Sequence, residues 1–103
     1  MMLRRSHILA VGLLSCFLLA PANRTTVSIK NLQFSPASVS IDAGDSVVWS
    51  NQDDRDHKIV FSEGPSSGNL KPGQTWSRTF EKSGTFNYSC EYRPRMKGKV
   101  VVQ

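Results

Sequence analysis

From Thr25 onward the chain is a succession of short runs rich in valine, isoleucine, phenylalanine and tryptophan, each closed by a turn cluster, and no stretch carries the 3.6-residue apolar period of a helix. Val27, Ile29 and then Phe34 read as a first strand. Val39 and Ile41 alternate with Ser38 and Ser40 before the turn Asp42-Ala43-Gly44-Asp45. Val47-Val48-Trp49 is a dense apolar strand closed by Asn51 and a polar loop. His57 opens the next, with Ile59 and Phe61 on its face. After the loop Gly64 to Gly68 and the tight turn Lys71-Pro72-Gly73, Trp76, Arg78 and Phe80 share a face. Arg78 is expected at a sheet edge, its stem packed and its head in water. Phe86, Tyr88 and Cys90 share a face of the strand after Ser83-Gly84, and Val100-Val101-Val102 closes the domain. About seven strands without helix or repeat predict an all-β fold, an antiparallel β-sandwich with Greek-key connections.

The first 22 residues differ. Arg4 and Arg5 precede an apolar run from Ile8 to Ala20, and Ala20-Pro21-Ala22 supplies small residues for cleavage. This layout predicts a secretory signal over 1–22 and a single domain over 23–103. The run is shorter than the roughly 20 residues that span a bilayer, so no stable membrane insertion is expected. Cleavage at Cys16 with lipid attachment is the weaker variant, because Phe17-Leu18-Leu19 continues the apolar stretch. The expected location is the periplasm or the extracellular space. Of two cysteines and two histidines, Cys16 and His7 leave with the signal, so Cys90 and His57 stand alone. The domain then has no internal disulfide, and a free thiol in an oxidising compartment needs a reason. With 13 Lys and Arg against 8 Asp and Glu, the charge of +5 is too dispersed to indicate a nucleic-acid binder.

Three side chains after residue 22 suit soft or borderline metals: His57, Cys90 and Met96. Each also has a plain reading, as a surface histidine, a small buried hydrophobe and a core methionine. Strand ends at one pole of a sandwich converge, however, and a thiolate, an imidazole and a distant thioether make up most of a blue-copper ligand set.

The surrounding sequence resembles the cupredoxin family, in particular its amicyanin-like and plastocyanin-like members. The resemblance is carried by Phe34-Ser35-Pro36-Ala37, by Gly44-Asp45-Ser46-Val47-Val48-Trp49-Ser50-Asn51 and by His57. It continues through Ser67 to Gln74, Gly84-Thr85-Phe86-Asn87-Tyr88-Ser89-Cys90 and Pro94 to Val102. It implies one mononuclear copper site with His57 and Cys90 as equatorial ligands and Met96 as the axial one, in a protein that carries single electrons. It also makes Asn51 the residue that stitches the ligand loops together.

The family's loop places a second histidine between cysteine and methionine, and here Cys90-Glu91-Tyr92-Arg93-Pro94-Arg95-Met96 puts Arg93 in that place. A guanidinium stays protonated and offers no lone pair. Cu(I) is therefore expected to be held weakly and Cu(II) more weakly still. Three readings stay open: a working copper site with an unusual ligand set, a cupredoxin fold turned to non-redox Cu(I) or protein binding, and a single-base substitution of histidine. Lys58, Arg93, Arg95 and Lys97 form a candidate docking patch for an acidic redox partner of a monomeric protein. Asp53, Asp54 and Asp56 are expected to pair with those cations. An enzyme reading would make Cys90 a nucleophile and His57 its base, but no motif supplies an oxyanion hole or a third orienting group.

Overall fold

The computed structural model describes residues 22–103, so the expected signal segment, with Arg4, Arg5, His7 and Cys16, lies outside the described residues. Nine strands follow in order: β1 (Arg24–Lys30), β2 (Gln33–Ser35), β3 (Ser38–Ile41), β4 (Ser46–Asn51), β5 (His57–Phe61), β6 (Asn69–Leu70), β7 (Thr75–Thr79), β8 (Gly84–Cys90) and β9 (Arg93–Val102). They form two packed sheets, β2-β1-β4-β7 and β3-β9-β8-β5-β6. The expected β-sandwich is what the chain builds.

Two short strands, β2 and β6, raise the count above the expected seven. The first arises because Phe34 does not continue β1. Asn31 and Leu32 both take positive φ, 54° and 60°, and fold the chain into a tight hairpin that pairs Ile29 with Phe34. Asparagine tolerates that conformation; leucine rarely does.

Two strand pairs within the sandwich run parallel. β1 runs parallel to β4, with Val27 beside Trp49, and β3 runs parallel to β9, with Val39 beside Val100. The remaining pairs are antiparallel. A hairpin forces antiparallel neighbours, but β1 and β4 are separated by an excursion into the opposite sheet. The chain therefore returns to the first sheet in its original direction.

Alternation decides what is buried. In β4 Val47, Trp49 and Asn51 are covered while their neighbours are half-exposed, and in β8 Tyr88 and Cys90 face inward. The interior is knit by aromatic contacts. Trp49 meets Tyr88 edge-on at 5.3 Å and stacks obliquely on Trp76 at 5.2 Å, and Tyr88 meets Phe34 at 4.8 Å. Arg78 lies on the edge strand β7, as expected. Its guanidinium lies over the rings of Phe61 and Phe80 at 4.4 and 4.6 Å and donates to the Glu63 carbonyl, so aromatic faces share the charge with water.

Gly98 sits directly across β9 from Tyr88. A Cβ at that position would overlap the Tyr88 ring carbon Cζ and hydroxyl, and the ring is already fixed by Phe34, Trp49 and Phe61. Gly98→Ala is therefore expected to destabilise the fold by about 1–3 kcal/mol through overpacking. Urea denaturation measures it, and a smaller loss on a Tyr88→Leu background would identify the ring as the obstacle.

Candidate metal centre

Three neighbouring strands assemble the pole. Cys90 ends β8 opposite Ile59 of β5, and His57 begins β5 two residues earlier. His57 and Cys90 thus lie on one inward face as diagonal neighbours across the ladder. Both have no exposed surface, and Nδ1 of His57 lies 3.4 Å from the Cys90 sulfur. The chain leaves Cys90 through Glu91-Tyr92 and re-enters as β9, so Arg93 pairs in register with Cys90.

The imidazole is held from behind. Its Nε2 lies 2.8 Å from the Asp53 carboxylate, so Nε2–H donates to that oxygen and the Nδ1 lone pair is left facing the sulfur. The Asp53 side chain is 9% exposed and also accepts the backbone N–H groups of Asn31 and Leu32, at 2.6 and 3.1 Å. Burial alone raises its pKa, but the hydrogen bonds from His57, Leu32 and Asn31 outweigh this and hold the carboxyl below its ordinary 3.8. Asn51, completely buried, acts as the expected stitch. Its amide donates to the carbonyls of Arg55 and Leu70, each at 3.0 Å, and its oxygen accepts the N–H of Asp53.

Asp53 is the residue that the sequence did not single out for this role. A carboxylate four positions before a histidine was visible, but nothing local separates Asp53 from Asp54 and Asp56. The expectation that these acids pair with the cations of the pole is corrected. Asp53 holds His57, Asp54 meets Arg55 at 3.4 Å, and Asp56 accepts from Asn69.

Met96 lies on β9, 6% exposed, in the same core cluster as Cys90, and it lines a surface groove with Arg93 and Arg95. Among the described residues no three histidine, cysteine, aspartate or glutamate side chains gather as a metal site; His57 and Cys90 form a nitrogen–sulfur pair. Its chemistry fits a soft ion. Thiolate and imidazole 3.4 Å apart are both within reach of one metal with bonds of about 2.0–2.3 Å. The same pair could serve as nucleophile and base, yet both side chains are fully covered and a substrate has no approach to the sulfur in this conformation.

Asp53→Asn is expected to weaken metal binding about 10- to 100-fold, because an amide facing Nε2 favours the tautomer protonated at Nδ1. Chelator competition measures the affinity and imidazole nitrogen chemical shifts report the tautomer. A second effect concerns pH. The folded carboxyl has the lower pKa, so its stabilisation is complete above 3.8 and is lost as pH falls through the folded value. The variant should lack that part of the acid limb.

The chain is similar to known proteins of one family. The profile of the cupredoxin-like domain matches residues 6–102. Amicyanin-alpha of Methylorubrum extorquens is 39% identical over 101 residues, covering 92% of this chain and 85% of its own length. Plastocyanin of Scenedesmus fuscus is 38% identical over 86 residues, covering 70% of this chain and 88% of its own. Among solved structures, the Cu(I) form of an amicyanin variant superposes with a TM-score of 0.75 at 28% identity, over 84% of this chain and 88% of that one. A purple cupredoxin from Nitrosopumilus maritimus superposes at 0.73 over 77% of this chain and 99% of that one; at 24% identity it bears on the fold alone.

Proposed function

The chain belongs to the cupredoxin-like family, and on that footing we propose that it is a small exported copper protein that passes single electrons between extracytoplasmic partners, with Arg93 in the place of the second histidine ligand. The observation that carries the reading is the buried approach of the His57 nitrogen to the Cys90 sulfur at 3.4 Å. Copper held there supplies one-electron chemistry through a covalent bond to the thiolate. The protein's own part is to exclude water, to keep Nδ1 unprotonated through Asp53, and to hold both donors on adjacent strands so that they move little between oxidation states. Met96 would add a weak thioether donor that tunes such a centre.

The cationic residues at this pole are proposed to dock an acidic partner. Lys58 is already engaged by Glu91 at 3.4 Å, so Arg93, Arg95 and Lys97 carry most of that role.

Arg93 favours a second reading, a non-redox module that holds Cu(I) weakly or binds a protein. Redox cycling separates the two. One equivalent of Cu(I) in anaerobic chelator competition, abolished by Cys90→Ala, together with a reversible copper couple, supports the carrier. Copper binding without a reversible couple supports the module, and binding indifferent to Cys90→Ala and His57→Ala overturns the site.

A further inference from the structure

A second site lies beside this pole. Between the β1–β2 turn and the first half of β9 is an open groove of about 550 Å³, a volume within the usual range of about 300–1,000 Å³ for small-molecule pockets. Its two walls differ in chemistry because β9 alternates. Met96 turns inward, 6% exposed, and with Phe34, 4% exposed, forms an apolar floor, while Leu32, 40% exposed, stands at the lip. Arg95 and Lys97, the exposed residues on either side of Met96, and the half-buried Arg93 add three positive charges.

Those charges lack partners within the fold. Among the described residues the ion pairs join Arg55 to Asp54, His57 to Asp53 and Lys58 to Glu91, and none reaches Arg93, Arg95 or Lys97. Three like charges spaced two residues apart on one strand repel one another, and none of the ion pairs among the described residues offsets them. The cationic wall excludes a cationic ligand, and it leaves a wholly apolar one no advantage over its anionic analogue. An ion without an apolar body would leave the floor unused.

We propose that this groove binds an organic carboxylate with a flat or branched apolar body, the body on Phe34 and Met96 and the carboxylate against Arg95 and Lys97, with Arg93 adding to the field. Arginine provides the bidentate geometry that a carboxylate prefers, and the apolar floor adds burial that a bare anion cannot gain. The inference does not require copper, and because Met96 is also proposed as a copper donor it is tested on the metal-free protein.

The probes are 2-naphthoate, its neutral analogue 2-naphthylmethanol, and acetate, followed by NMR of the protein labelled at methionine methyl carbons. The Met96 signal is identified by its loss in Met96→Leu. The expected result is a saturable ring-current shift of the Met96 methyl with 2-naphthoate, with affinity at least about tenfold above either comparison compound. Added salt should weaken it severalfold. The double variant Arg95→Gln/Lys97→Gln changes only exposed side chains and should reduce the affinity at least about tenfold while leaving the spectrum otherwise folded. Equal affinity for the neutral analogue or for acetate, an unmoved Met96 methyl, or unchanged affinity in the double variant would each overturn the proposal.

Discussion

Replacing Arg93 with histidine is expected to turn a colourless protein blue in the presence of Cu(II). Two effects act in the same direction. The substitution supplies an imidazole on the strand position that pairs with Cys90, next to the two buried donors. It also removes a permanent cation from the centre. A unit charge a few ångströms away in a medium of effective permittivity about 20 is worth on the order of 2–4 kcal/mol per unit of metal charge. Since Cu(II) carries one charge more than Cu(I), relief of that repulsion alone favours the oxidised ion about a hundredfold, equivalent to lowering the potential by on the order of 100 mV. The added nitrogen donor, which Cu(II) prefers, increases the difference. Visible absorption and a Cu(II) titration of the two proteins provide the check. A colourless variant would mean that the pole does not present its donors as proposed, and an intensely blue unsubstituted protein would mean that Arg93 does not weaken the site.

Trp49→Ala should have the largest effect on stability. The indole has no exposed surface and lies at the centre of the interior, edge-on to Phe61 at 5.7 Å and to Tyr88 at 5.3 Å, and against Trp76 at 5.2 Å. Truncation removes these contacts and leaves a cavity that a fixed two-sheet frame cannot close, with an expected loss of about 3–5 kcal/mol. That is a large share of the roughly 5–15 kcal/mol by which such domains are stable, so the variant should be partly unfolded at moderate temperature. Almost all of the loss is packing, because the indole N–H is buried without closing a good hydrogen bond, even to the neighbouring Tyr88 hydroxyl. Trp49→Phe should for that reason lose much less, since it keeps an aromatic ring and removes an unsatisfied donor. Thermal unfolding followed by far-ultraviolet circular dichroism ranks the three proteins. A loss below about 1 kcal/mol for Trp49→Ala would contradict the central role of this ring.

Much of this was legible in the sequence where a property depends on neighbours along the chain. The inward faces of β4 and β8 follow from Val47, Trp49 and Asn51 and from Tyr88 and Cys90 recurring every second residue, because side chains alternate on a strand whatever it pairs with. The turn at Lys71-Pro72-Gly73 is closed by Gln74 N–H to the Lys71 carbonyl, with Gly73 at positive φ, as its composition required. The convergence of His57 and Cys90 was inferable as strand ends at one pole.

Other features had no local signature. The hairpin at Asn31 and Leu32 places a leucine where residue preference argues against it, because Asp53 from a distant loop accepts both N–H groups of that turn. Arg78 stands on an edge strand as expected, but its charge rests on a surface that Phe61 and Phe86, from other strands, complete with its own neighbour Phe80.

By itself the sequence determined inward-and-outward strands without a helical period from Thr25 onward, a thiol and an imidazole at strand ends, and an arginine where the family resemblance places a histidine. Only the tertiary structure decided which strands run parallel, which of three aspartates orients His57, why position 98 has no side chain, and that Met96 floors a groove rimmed by three cations. The division is physical. Strand alternation and turn chemistry are set by bonds and torsions within a few residues, whereas hydrogen-bond partners, cavities and charge neighbours depend on which distant segments the two sheets bring together.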